Sequence, residues 1–165
     1  MKDLFLPEGY HSPLSLLETQ EATAVTRDLF QVNLSRELNL TRITCPLFVE
    51  KGSGINDDLN GVERKVEFTM KNLRGTAEIV QSLAKWKRMA LYRYHYAPGT
   101  GIYTNMSAVR RDDECDSLHS IYVDQWDWEK VITKEERTEA YLKETVKKIV
   151  NALADTKEAL NQRYP

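Results

Sequence analysis

Three short polar stretches of this sequence carry side chains fit for chemistry on small charged molecules. The first, INDDLNG, places Asp57 and Asp58 ahead of an Asn60-Gly61 turn signal. Carboxylates in such loops often do no more than cap backbone N–H groups. The second, QSLAKWKR, gathers Lys85, Lys87 and Arg88. On a helix they read most simply as a solvated basic face. The third runs from AVRRDDE into HSIYVDQWDW. Here Arg110 closes one strand, an acidic loop follows, and a second strand returns with Gln125 and Asp127 on one face. A guanidinium grips phosphate or carboxylate as a planar fork, and Asp127 is suited to hold an amino group. An arginine at a strand end, beside a partner strand rich in acceptors, fits an anionic ligand with a cationic end.

Alternation within IYVDQWDWEKV sorts the side chains. Tyr122, Asp124, Trp126 and Trp128 face one way, and Ile121, Val123, Gln125, Asp127 and Glu129 the other. The second face begins apolar and turns polar. Such a strand either leaves a packed core for a wet cleft or lies at an edge with one solvated face.

The surrounding elements must position these groups. SLLE at Ser15–Glu18 matches a capping box. Ala22, Val25, Leu29 and Val32, widened by Phe30, Leu34 and Leu38, predict a long amphipathic helix ending near Asn39. TRITCPLFVE, Thr41–Glu50, reads as a strand, with Pro46 confining it to an edge, a bulge or an interface. VEFTMK (Val66–Lys71) and AEIVQSL (Ala77–Leu83) read as paired strands, and AKWKRMALYRY (Ala84–Tyr94) as a short helix. IYTNMSAVRR (Ile102–Arg111) alternates again. Thr133 and Glu136 form a second capping box, ahead of a stripe of Leu142, Val146, Ile149, Leu153 and Leu160 with Glu139–Lys143 and Glu144–Lys148 pairs. The order is an α+β pattern: an antiparallel sheet flanked by helices.

The 165 residues suggest one domain, 1–165, with no repeat or linker. A net charge of −2 offers no basic field for nucleic acid. Cys45 and Cys115 are too few for a disulfide scaffold, and His11, His95 and His119 are scattered, so no metal site is expected. The sequence shows no apolar run of membrane-spanning length and no signal-peptide core at its start. These features read as a soluble, cytoplasmic protein.

Taken together, NDDLNG, SLAKWKR, GIYTNMSAVR and LHSIYVDQWDWE resemble the ammonia-dependent, A-type asparagine synthetases, the aspartate–ammonia ligases. The resemblance runs from about Asp28 to the end, in unbroken motif order. It implies a fold related to the catalytic domain of class II aminoacyl-tRNA synthetases, working as a homodimer, with the long helix and the Pro46 strand at the subunit interface. It implies conversion of aspartate, ATP and ammonia to asparagine, AMP and pyrophosphate through β-aspartyl-AMP. By resemblance, Arg110 clamps the α-phosphate and Lys87 contacts the reacting carboxylate and phosphate. Asp127 would hold the substrate α-amino group, Gln125 would lie near the β-carbonyl, and Ser82 would touch substrate. Asp57 would position ammonia or accept its proton.

Members of this family are about twice as long. The expectation is therefore an N-terminal half, with the ligands for Mg2+ and part of the ATP site beyond it. Two other readings compete: an aspartyl- or asparaginyl-tRNA synthetase-like domain, and a non-catalytic dimerising paralogue that binds aspartate or asparagine.

Overall fold

Two reciprocal hydrogen bonds start the first helix. Ser15 Oγ accepts from Glu18 N–H at 3.3 Å, and Glu18 Oε2 accepts from Ser15 N–H at 2.8 Å. Helix α1 spans Leu16–Leu38 and stops at Asn39, whose φ of 58° is the left-handed conformation that asparagine tolerates. The expected long helix therefore forms with both of its ends where the sequence placed them.

The computed structural model describes residues 5–165. After α1 come β1 (Leu40–Arg42), β2 (Phe48–Glu50), β3 (Glu67–Met70), β4 (Leu73–Ile79), α2 (Ala84–Arg93), β5 (Gly101–Val109), β6 (Tyr122–Lys130) and α3 (Glu139–Arg163). The class is α+β, as expected. Contacts divide the described chain into two units: residues 5–7, 43–95 and 102–129, and residues 8–42, 96–101 and 130–165.

The first unit carries the strands that matter for chemistry. β4 lies between β2 and β3 and is antiparallel to both. β5 neighbours β6. Arg110 N–H donates to Ile121 C=O at 2.8 Å, and Thr104 Oγ1 donates to Asp127 C=O at 3.3 Å, so the two strands run antiparallel. Met106 and Ala108 alternate inward along β5 and join Val80 and Leu83 in a fully buried core. Cys45, Val49, Trp86 and Val123 pack around it. Val123 thus leads the core-facing side of β6, and Gln125 and Asp127 continue that side along the half-buried remainder of the strand.

Two strand boundaries differ from expectation. The segment expected as one strand over 41–50 is two short ones, β1 and β2, with Pro46 between them. Proline lacks the N–H that a continuous ladder requires. The strand expected over 77–83 instead begins at Leu73, directly after a turn, and ends at Ile79. Beyond it, Gln81 N–H is taken by Asn56 Oδ1 at 2.9 Å rather than by a neighbouring strand.

The second unit is built on α1 and α3, which pack together. Phe30, Leu34 and Leu38 form the buried line of α1, while Val32, expected in its stripe, is exposed. On α3 the buried positions are Ala152 and Thr156. Asn33 Nδ2 donates to Thr156 Oγ1 at 3.1 Å, and Arg36 meets Asp155 at 2.8 Å. The expected stripe of α3 is corrected here: Leu142, Val146 and Leu153 are 61%, 49% and 52% exposed. The helix turns a line of smaller residues, about one position round, toward α1. The Thr133–Glu136 capping box forms, but it closes a turn, and the helix starts later with Thr138 as its cap. Glu139 pairs with Lys143 at 2.6 Å as expected, whereas Glu144 meets Lys147, at 3.9 Å. Among the described residues no helix is long and apolar enough to cross a membrane.

Candidate active site

Helix α2 carries a cation where its pattern asks for a leucine. Leu83, Lys87, Ala90 and Leu91 fall on one helical stripe, and all four are buried. Lys87 is 0% exposed, so it does not belong to a solvated basic face. Taking an ammonium out of water costs several kcal/mol unless an anion meets it. Lys87 Nζ lies against Asp127 Oδ2, on the core-facing side of β6. The Asp127 side chain is itself only 18% exposed. Thr104 fixes the backbone beneath it through the hydroxyl–carbonyl bond to Asp127 C=O.

Lys85 and Arg88 point elsewhere and are exposed. Lys85 Nζ stands 3.4 Å from Asp57 Oδ1, and Asp57 Oδ2 accepts from Ser82 Oγ at 3.0 Å. Asp57 is therefore engaged on both oxygens, one by a hydroxyl and one by an ammonium. Arg88 Nε is 4.0 Å from Glu129 Oε1. Burial pushes the Glu129 carboxyl above the ordinary glutamate range, against the pull of Lys87 and Arg88.

The neighbouring carboxylate Asp58 has a structural role. It is held below the usual range by Lys65, which sits 2.5 Å away and also faces Glu78 at 3.5 Å. Asn56, between these groups and the end of β4, donates to Glu78 Oε2 at 3.3 Å and to Ile79 C=O at 3.1 Å. This buried network anchors the loop from which Asp57 projects.

Arg110 directly follows β5, its backbone fixed by the bond to Ile121. Its side chain is half-buried, and its enclosed Nε has no hydrogen-bond partner among the described residues. An enclosed guanidinium N–H without a partner is costly in a finished structure and is suited to an incoming oxyanion. The acidic loop after it is tied down at Asp112, which takes a forked contact from Arg64 with Nε 3.1 Å from both oxygens. Those hydrogen bonds hold the Asp112 carboxyl down at about 2. Gln125 is half-buried, on the same face of β6 as Asp127.

All six residues singled out from sequence, Asp57, Ser82, Lys87, Arg110, Gln125 and Asp127, lie in the first unit. Two direct clusters form among them: Lys87 with Asp127, and Asp57 with Ser82. Sequence reasoning undervalued Lys85, whose partner lies 28 positions away, and it gave no role to Glu129. The signal for Glu129 was present, because position 129 shares a strand face with 127. Among the described residues no group of three or more His, Cys, Asp or Glu side chains could hold a metal ion.

The chain matches the family model described as aspartate-ammonia ligase over residues 17–165. It is 54% identical to an aspartate–ammonia ligase of Clostridium perfringens, over 100% of this chain and 49% of the relative. Its identity to the Ruminiclostridium cellulolyticum ligase is also 54%, with the same coverage. For the Limosilactobacillus fermentum ligase it is 53%, over 98% of this chain and 48% of that protein. The chain therefore spans about half the length of the curated relatives it matches. On the extent of the family match and the identity across the whole chain, this protein belongs to the aspartate–ammonia ligase family.

Proposed function

We propose that this chain supplies half of a ligase site that makes asparagine from aspartate, ATP and ammonia by way of β-aspartyl-AMP. The observation that carries the reading is the buried Lys87–Asp127 pair. An amino-acid zwitterion offers the complementary charges, an ammonium for Asp127 and a side-chain carboxylate for Lys87. Aspartate set between them brings its β-carboxylate to a cation enclosed away from water, where electrostatic stabilisation is strongest. Arg110, with its unsatisfied Nε, is placed to take the α-phosphate of ATP. Attack of the β-carboxylate on the α-phosphorus then expels pyrophosphate. Ammonia attacks the resulting β-carbonyl carbon and AMP departs. Gln125 is assigned to that carbonyl, Ser82 to substrate contact and Asp57 to positioning ammonia.

Among the described residues no group of three or more His, Cys, Asp or Glu side chains could hold a metal ion, and no step here is routed through Mg2+. The reading carries with it a class II synthetase-like catalytic domain, of which residues 1–165 form the N-terminal half, a homodimer, and a cytoplasmic setting.

Aspartate-dependent exchange of pyrophosphate into ATP tests the proposal, in the full polypeptide carrying this sequence. Exchange is expected, with Arg110→Lys slowing it on the order of 10²–10³-fold, because lysine keeps the charge but loses the fork. Aspartate binding without exchange would identify a non-catalytic binder. Exchange that becomes productive only with tRNA would identify a synthetase.

A further inference from the structure

Glu129 shares the face of β6 that carries Gln125 and Asp127, and the proposed ligase reaction gives it no task. Its side chain is 27% exposed, and the Arg88 Nε contact, at 4.0 Å, sits at the outer limit of an ion pair. Four charged groups act on it: Lys87 and Arg88 from α2, Asp127 from β6, and Asp57 from the loop before β3. The two cations favour its ionised form, while burial, the largest effect, and the two carboxylates oppose it and leave Glu129 more basic than an ordinary glutamate. Asp57 differs in kind. Ser82 Oγ and Lys85 Nζ already engage its two oxygens, so both already have a partner within the fold.

The second half of the proposed reaction needs such an acceptor. At neutral pH dissolved ammonia is almost wholly ammonium, which has no lone pair and cannot attack a carbonyl. Resting on the ligase reading, we propose that Glu129 is the base that deprotonates the incoming ammonium, while Asp57 only positions it. One N–H bond of ammonium breaks and an O–H bond forms on Glu129, freeing the lone pair. The nitrogen then bonds to the β-carbonyl carbon of β-aspartyl-AMP, and the carbon–oxygen bond to the phosphate breaks. The electron pair leaves with AMP, and the second nitrogen proton passes to water. Glu129 returns its proton to solvent before the next turnover.

Hydroxylamine provides the discriminating probe, because it is largely unprotonated at neutral pH and attacks acyl adenylates without a base. In the full polypeptide carrying this sequence, Glu129→Gln is expected to keep aspartate-dependent pyrophosphate exchange. It is also expected to keep aspartyl-hydroxamate formation within a few-fold of the parent. Asparagine formation from ammonium should fall about 10²–10⁴-fold, the range general-base catalysis contributes. The residual ammonium-dependent rate should climb about tenfold per pH unit, following the free-base fraction of ammonia. The parent should be far flatter above the Glu129 pKa. In the 165-residue chain itself, carbon-13 NMR should show the Glu129 carboxyl titrating above the ordinary glutamate range.

Unchanged ammonium-dependent synthesis in the variant would overturn the assignment. A parallel loss of exchange and hydroxamate formation would also overturn it, by making Glu129 structural. A parent that shows no aspartate-dependent exchange would instead remove the ligase reading, and this inference with it.

Discussion

Helices α2 and α3 depart from their own patterns in opposite directions. In α2 a lysine occupies a stripe otherwise made of Leu83, Ala90 and Leu91, and it is completely buried. In α3 the leucines and valines that look like a core stripe, Leu142, Val146 and Leu153, lie largely in solvent. Meanwhile the small side chains of Ala152 and Thr156 are buried. Periodicity identifies which residues share a face. What that face meets is decided by the partner. The partner of α3 in its unit is α1, whose Asn33 and Arg36 match Thr156 and Asp155. The partner of Lys87 is a carboxylate on β6. A charge inside is expensive and needs a reason, whereas apolar surface outside costs little by itself. The α2 exception is thus the better pointer to function.

That contrast can be broken most sharply at Lys87. Lys87→Met should destabilise the fold by about 3–5 kcal/mol, because it strands the Asp127 carboxylate in a largely enclosed position. Lys87→Met with Asp127→Asn should recover a large part of that loss. Urea unfolding of the two variants checks both statements, and a single variant as stable as the parent would mean that the pair is not what holds this face together.

Next in size is the difference between the buried and exposed lines of the helical unit. Leu34→Ala should cost about 2–5 kcal/mol, as core truncations do. Leu142→Gln should stay within about 0.5 kcal/mol. If the second change proved as damaging as the first, the outward assignment of the α3 stripe would be wrong.

A smaller effect is expected at Glu129. Its folded-state pKa is raised, so the folded form binds its proton more tightly than the unfolded chain does. The stabilisation this gives is complete below the unfolded pKa and disappears as pH rises through the folded value. Glu129→Gln should therefore gain thermal stability relative to the parent at neutral pH, and the gain should shrink on acidification toward about pH 4, near the ordinary glutamate value. Melting temperatures taken across that interval would show the trend, and a constant difference would contradict it.

Much of this architecture is legible in the sequence alone. The Ser15 capping box and the Asn39 stop both depend on local chemistry, and both form as expected. Alternation along β6 correctly placed Val123 toward the core, with Asp127 on the same side. The failures share a cause, which is a partner distant in sequence. Thr41–Glu50 reads as one strand placed by Pro46 at an edge, a bulge or an interface, but β2, on the far side of Pro46, pairs with β4 rather than continuing β1. Leu73 is the exception, because its partner in β3, Met70, lies only three positions back. Lys87 looked like surface because nothing in SLAKWKR announces Asp127, 40 positions on. Adjacent Asp57 and Asp58 read alike, yet one faces Lys85 and the other Lys65.

The fork from Arg64 to Asp112 joins the loop that presents Asp57 to the loop after Arg110. The Arg64 end is 70% exposed, so dissolved ions screen it readily, within a Debye length of about 8 Å at physiological ionic strength. Both loops are thus fastened by a clasp that brine can slip. Trypsin cuts after arginine, and Arg64 and Arg111 are both accessible. Nicking at these two bonds should quicken together as sodium chloride is added, which makes a protease and a salt gradient a simple gauge of how firmly the two loops are joined.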